Sequence, residues 1–254
     1  MKSAVTRHES LDLHEAIRQV YANAGMDRAD VKPGIVPLYE MIGAYPITVA
    51  ELPHMTYRTA IEFLIAEVGN DIAMPSDADR SLSGLLYAYE DDNYLHAFII
   101  TEKTDGIPRR RFTAAHELGH YVRHFLPLLG SRHTAAHRLA IVDGISYTGS
   151  DEADIEQQMG GSTFISDELL GPISGDDSVK LSSTRQKEQE ANEFAAEILM
   201  PAEACCALAE QYTKKFGKNR AVVARCLAPA FLVSQEAMQR RLKNLGLLEQ
   251  SFAL

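Results

Sequence analysis

The chain has 254 residues, with 25 Lys and Arg against 35 Asp and Glu and a formal charge of −10 when histidine is neutral, which argues against a protein whose whole surface grips nucleic acid. With 46% hydrophobic and 24% charged residues, the composition is that of an ordinary globular protein, long enough for one large domain or a domain with an appendage. No run approaches the roughly 18 apolar residues of a membrane span, and the stretch after Met1-Lys2-Ser3 lacks a signal-peptide core; a cytoplasmic protein with no membrane partner is expected.

Leu13, Ile17, Val20, Tyr21 and Ala24 recur at helical spacing up to Gly25, where a left-handed cap is easy. Tyr57, Ala60, Ile61, Leu64, Ile65 and Val68 mark a second amphipathic helix, with Thr56 as N-cap and Gly69 as stop. Leu85 to Tyr89 and His96 to Ile100, joined through Asp91-Asp92-Asn93, read as a β-hairpin. A helix from Phe112 to Leu126 follows. Residues 128–184 hold seven of the sixteen glycines and two acidic clusters, and read as long loops around short elements such as Leu139 to Ile145. Helical pattern returns from Arg185 to Met200 and is stopped by Pro201. The tail from Tyr212 carries eight Lys and Arg against two acidic residues, a balance of +6 that leaves −16 on the first 211 residues. There Ser234 can cap a helix whose inner face is Met238, Leu242 and Leu245, ended by Gly246. The three cysteines, Cys205, Cys206 and Cys226, form no disulfide framework or C-x-x-C pair and read as reduced packing residues.

His116-Glu117-Leu118-Gly119-His120 is an H-E-x-x-H motif. Residues i and i+4 share a helix face, so both imidazoles can address one ion, while the glutamate between them stands within reach of a water on that ion. Ala115, Leu118, Gly119, Val122 and Leu126 form a separate stripe for packing, leaving the histidine face to line a cleft. Gly119 costs roughly 1 kcal/mol against alanine inside a helix, which implies that something approaches closely there.

Zinc in a hydrolytic centre usually takes three protein ligands and leaves one position for water. Arg123 and Leu126 stand where the metzincin pattern needs glycine and histidine, which excludes that subclass. His124, a further turn along, lies too far down the helix axis to share the ion and reads as a supporting or packing residue. A carboxylate on another helix remains. On a helical wheel of residues 188–199, Ala191, Phe194, Ala195, Ile198 and Leu199 make the apolar face, and Glu188 falls inside that arc with Glu190 at its edge. A carboxylate on an apolar face is costly unless a cation compensates it. Glu188 is therefore the first choice of third ligand and Glu190 the second, with Asn192 placed to hydrogen-bond a ligand histidine. Glu193 and Glu197 read as a solvated face.

The run Arg110-Arg111-Phe112-Thr113-Ala114-Ala115-His116-Glu117-Leu118-Gly119-His120, with Glu188, Ala191, Asn192, Phe194, Ala195, Ala196, Glu197, Ile198, Leu199, Met200 and Pro201 after it, resembles the ImmA/IrrE family of metallo-endopeptidases. The similarity extends to the hairpin and to Leu227, Ala228, Phe231, Val233, Ser234, Ala237, Met238, Arg240 and Leu242. It implies an α+β zincin-like metallopeptidase domain with a small antiparallel sheet, and a C-terminal helical, helix-turn-helix-like subdomain. It further implies a gluzincin-like, zinc-dependent cytoplasmic endopeptidase with His116, His120 and Glu188 as ligands and Glu117 as base. The implied substrate is a helix-turn-helix repressor whose cleavage switches on stress-response or mobile-element genes. The 68 positions from His120 to Glu188 exceed the usual spacing, so the expected division is a peptidase domain over 1–127 and 185–203, an insertion over 128–184, and a basic helical subdomain over 204–254.

Two histidines and a carboxylate also accept manganese. His133, His137 and Tyr147 are candidates for holding the tetrahedral oxyanion. The rival reading is a DNA-binding or toxin–antitoxin regulator with a structural or sensory metal site. Val233-Ser234 before a basic helix favours it, whereas Pro229, expected to interrupt the preceding helix, and the overall negative charge oppose it.

Overall fold

The computed structural model describes residues 11–28, 34–69, 72, 74–91, 94–129, 141–145 and 184–247. Helix α1 (Leu13–Asn23) is capped by Asp12 and turns off at Gly25, whose φ is +67°. After the short α2 (Leu38–Ile42) comes strand β1 (Ile47–Leu52), then α3 (Tyr57–Val68), opened by a capping box between Thr56 and Thr59 and closed by left-handed Gly69. Strands β2 (Gly84–Asp91) and β3 (Tyr94–Glu102) form the expected hairpin. Strand β4 (Ile141–Ile145), inside the segment read as short elements among loops, pairs antiparallel with β2, giving the order β1-β3-β2-β4.

The sheet is not the purely antiparallel one expected, because β1 pairs parallel with β3, Ile47 opposite Ala97 through Leu52 opposite Glu102. A parallel neighbour requires a crossover, and α3 occupies it. The side-chain alternation of β2 and β3 then serves two cores. Leu86, Ala88, Leu95, Ala97 and Ile99 belong to a cluster with α1 and α4 (Ile107–His120). Leu85, Tyr87, Phe98 and Ile100 pack instead with Tyr57, Ala60, Ile61 and Leu64 of α3. The sheet is covered on both faces, which is why its strands read as aromatic and β-branched runs rather than as a clean apolar/polar alternation.

Helix α4 starts earlier than Phe112, at Ile107, with Pro108 in its first turn, where a missing N–H costs nothing. It continues past His120 as a π-helical turn (Tyr121–Phe125) and ends as α5 (Leu126–Leu129). Pro127 accounts for the widened turn: it cannot donate to the carbonyl of Arg123, four residues back, and its ring crowds that carbonyl. The Leu126 N–H reaches back five residues to Tyr121, and the Arg123 carbonyl accepts instead from the Leu11 N–H at 3.3 Å.

Helix α6 (Thr184–Leu199) lies against α4, followed by α7 (Ala202–Phe216), α8 (Arg220–Phe231) and α9 (Gln235–Asn244). Cys205, Ala209, Val223, Leu227, Phe231, Met238 and Leu242 join the same cluster as α1, α4 and α6. Pro229 does not break α8, which runs on to Phe231 and caps at left-handed Leu232, because a proline this near the C-terminus removes only a last-turn hydrogen bond. Ser234 caps α9, and the two helices meet at 112°. Of the cysteines Cys205 is buried, but Cys206 is exposed and so is not a packing residue. Among the described residues no single helix is long and apolar enough to cross a membrane.

Glu197 departs from its expected solvated position. It is 6% exposed, held by Arg28 at 2.5 Å and by Arg241 of α9, whose Nε also donates to the Met200 carbonyl at 2.9 Å. The helical wheel placed Glu197 opposite the α4-facing side correctly; what the wheel lacked was that α9 and the segment after α1 cover that second side. Removing one member of a buried charge cluster leaves its partners uncompensated. Glu197→Gln is therefore expected to destabilise the fold by about 3 kcal/mol, read as a lowered urea midpoint with an unchanged m-value, whereas Glu193→Gln, on the exposed face, leaves the midpoint where it was.

Candidate metal centre

All of α4 from Thr113 to His120 is buried, the histidine side included, so among the described residues that side is packed against α6 rather than lining an open cleft. Two glycines set the distances. A Cβ on Gly119 would lie 2.9 Å from Phe194 Cδ1 and 3.2 Å from Phe194 Cβ, so the absence of a side chain lets α6 close on α4. This is the close approach implied by a helical glycine. A Cβ on Gly84, at the start of β2, would lie 2.2 Å from Thr113 Cγ2 and 2.9 Å from Glu117 Oε1. Gly84 points to the same side as Leu86 and Ala88, and it seats α4 on the sheet. The sequence reading missed it, although an isolated glycine at a strand is the usual mark of such an approach.

The packing brings His116, His120 and Glu188 together, with one ligand atom from each within 4.8 Å of the others. The two Nε2 atoms are 2.9 Å apart, and the Glu188 oxygens lie 3.3 Å from each of them. Ligands about 2.0–2.1 Å from a tetrahedral ion sit about 3.3 Å from one another, so the spacing fits one ion. Glu188 is 8% exposed. Burial raises its pKa, but in the metal-free chain the protons that His116 and His120 turn towards it outweigh that effect and hold its carboxyl well below the usual carboxylate range, so the group stands ionised.

The outer ring nitrogens decide the tautomers. His116 Nδ1 is 3.2 Å from Asn192 Oδ1, as expected for Asn192. An amide oxygen only accepts, so Nδ1 donates to it and Nε2 is the nitrogen left to a metal. His120 Nδ1 is 3.0 Å from Nδ1 of His124, whose Nε2 is 3.0 Å from Glu190 Oε2. Glu190 is thus not beside the other ligand atoms; it stands behind His124. Burial, then the neighbouring His120, drives the His124 pKa down to about 3, leaving a neutral ring with one donor and one acceptor. Glu117 is fully buried on α4 between the two histidines. His133, His137 and Tyr147 lie outside the described residues.

Residues 167–243 match the sequence profile of the IrrE N-terminal-like domain, a peptidase family. The match covers Glu188 and helices α6 to α8 with most of α9, and starts after the H-E-x-x-H segment. It supports the resemblance to the ImmA/IrrE metallopeptidases read from the residues, and with it a metallopeptidase kind of function. No curated protein matches the chain.

Alanine for glycine ordinarily stabilises a helix by about 1 kcal/mol. At Gly119 the colliding Phe194 Cβ is fixed to the α6 backbone and cannot swing aside, so overpacking of about 1–3 kcal/mol wins. Gly119→Ala is expected to lower the melting temperature by several degrees.

Proposed function

We propose that the protein is a metal-dependent endopeptidase, gluzincin-like, with His116, His120 and Glu188 as the ligands of a zinc ion and Glu117 as the general base. The observation that carries this reading is the convergence of two Nε2 atoms and one carboxylate at 2.9–3.3 Å, with each outer imidazole nitrogen engaged elsewhere. The donor set also admits manganese. When bound, the ion supplies Lewis acidity, making water acidic enough to attack near neutral pH and polarising the scissile carbonyl. Glu117 accepts the proton of the attacking water and returns it to the leaving amine, turning a poor leaving group into a good one. Glu188, His116 and His120 do not move protons; they hold their positions because Asn192, His124 and the α4–α6 packing fix them.

The substrate is proposed to be a helix-turn-helix repressor whose cleavage, in the cytoplasm, releases stress-response or mobile-element genes. The resemblance to the ImmA/IrrE enzymes supports this part of the reading. The basic tail is a second consideration: Arg241 is drawn into the fold by Glu197 and the Met200 carbonyl, which favours a docking role for α9 over direct contact with DNA.

The purified full chain is expected to bind one equivalent of zinc, and His116→Ala and Glu188→Ala to lose it, as measured by plasma mass spectrometry after dialysis. Glu117→Gln is expected to keep the metal and lose peptide hydrolysis by at least about 100-fold. Hydrolysis by Glu117→Gln at the wild-type rate would remove Glu117 from its role.

A further inference from the structure

The string behind His120 is longer than a metal-ligand histidine needs, since a single carbonyl or carboxylate normally orients the ring. Here a second buried imidazole is interposed. His124, 6% exposed on the π-helical turn, bridges His120 Nδ1 to Glu190 Oε2 on α6 at 3.0 Å on each side. Glu190 is itself anchored at several points. Gln186 Nε2 donates to its Oε1 at 2.9 Å, Arg123 lies 3.6 Å from its Oε2, and Arg123 Nη1 donates to its backbone carbonyl at 2.8 Å. The other end of the Arg123 fork donates to the Leu11 carbonyl.

With His124 bearing a single ring proton, donor and acceptor rules allow one assignment along this string. Ionised Glu190 only accepts, so His124 Nε2 carries the proton and His124 Nδ1 presents a lone pair. His120 Nδ1 must then donate, which leaves His120 Nε2, beside His116 Nε2, as the nitrogen turned to the metal. Resting on the metal-centre reading above, we infer that Glu190 and His124 are positioning residues that hold the His120 ring with Nδ1 donating away from the site and Nε2 turned towards the metal. They act on the ion only through His120. The π-helical turn that Pro127 imposes carries His124, and α6 supplies both Glu188 and Glu190, so one helix contributes a ligand and the anchor of another.

Two measurements test this on the full chain. The first is the His124 ring tautomer in the zinc-loaded protein by nitrogen-15 NMR. The expected result is His124 protonated at Nε2 with Nδ1 bare, and a His124 protonated at Nδ1 overturns the proposal. The second is Zn²⁺ affinity by competition with a chromophoric chelator. His124→Leu, which removes the acceptor, is expected to bind roughly 10–100-fold more weakly. His124→Asn, whose Oδ1 can stand near the lost Nδ1, is expected to fall between it and wild type. A packing role for His124 predicts the opposite order, with the apolar leucine the milder change, and that order, or equal affinities, overturns the proposal. Should the His124 variants fail to fold, Glu190→Gln, which keeps size but weakens the acceptor, carries the test with an expected several-fold loss; unchanged affinity there overturns it. A wild-type chain that takes up no zinc would sink the metal-centre reading instead, so the two failures are distinguishable.

Discussion

Everything at the candidate centre depends on how closely α6 can lie on α4. Two imidazoles on one helix face are a common accident of sequence; a buried carboxylate held 3.3 Å from both is not, and it exists because Gly119 presents no side chain to Phe194. The cost of a helical glycine is exchanged for an interhelical contact that aligns Glu188 with the histidine pair. The same approach lets Asn192 and Glu190, from the same helix, reach the outer nitrogens of the site directly and through His124.

Burial makes this arrangement demanding. Arg111, Thr113, His116, Glu117, His120, Arg123, His124, Glu188 and Glu197 are all nearly inaccessible, and a buried polar group is tolerated only when it is hydrogen-bonded or charge-compensated. The fold compensates the carboxylates of α6 by dividing them between two sides of that helix. One side carries Glu188 and Glu190 towards α4 and its π-helical extension. The other carries Glu197 towards Arg28 and Arg241, tying the C-terminal helices to the element that holds the site. A single helix thus sets the position of the carboxylate that faces the histidine pair and of the basic tail.

Much of this was legible in the sequence, and the reasons differ by residue. The H-E-x-x-H spacing and the wheel position of Glu188 are consequences of helical geometry alone, so they survive folding unchanged, as do the caps at Thr56, Gly69 and Ser234. Gly119 announced a close contact without naming Phe194. What escaped needed a partner distant in sequence. Glu197 looks solvated until α9 is known to cover it, Gly84 does not name its neighbour until α4 is known to sit on it, and β1 is a short run whose parallel pairing with β3 depends on the crossover. The relay through His124 was half visible: its position one turn past His120 marks it as a supporting residue, but its link to Glu190 crosses 66 positions of chain.

The most direct test of the account is a crystal structure of the metal-loaded chain with anomalous data collected at the zinc edge. The account predicts a single anomalous peak about 2.0–2.2 Å from His116 Nε2, His120 Nε2 and one Glu188 oxygen, with His124 and Glu190 outside the coordination sphere. A peak bound by His124 or Glu190, or no peak between α4 and α6 while the metal sits elsewhere, would contradict it.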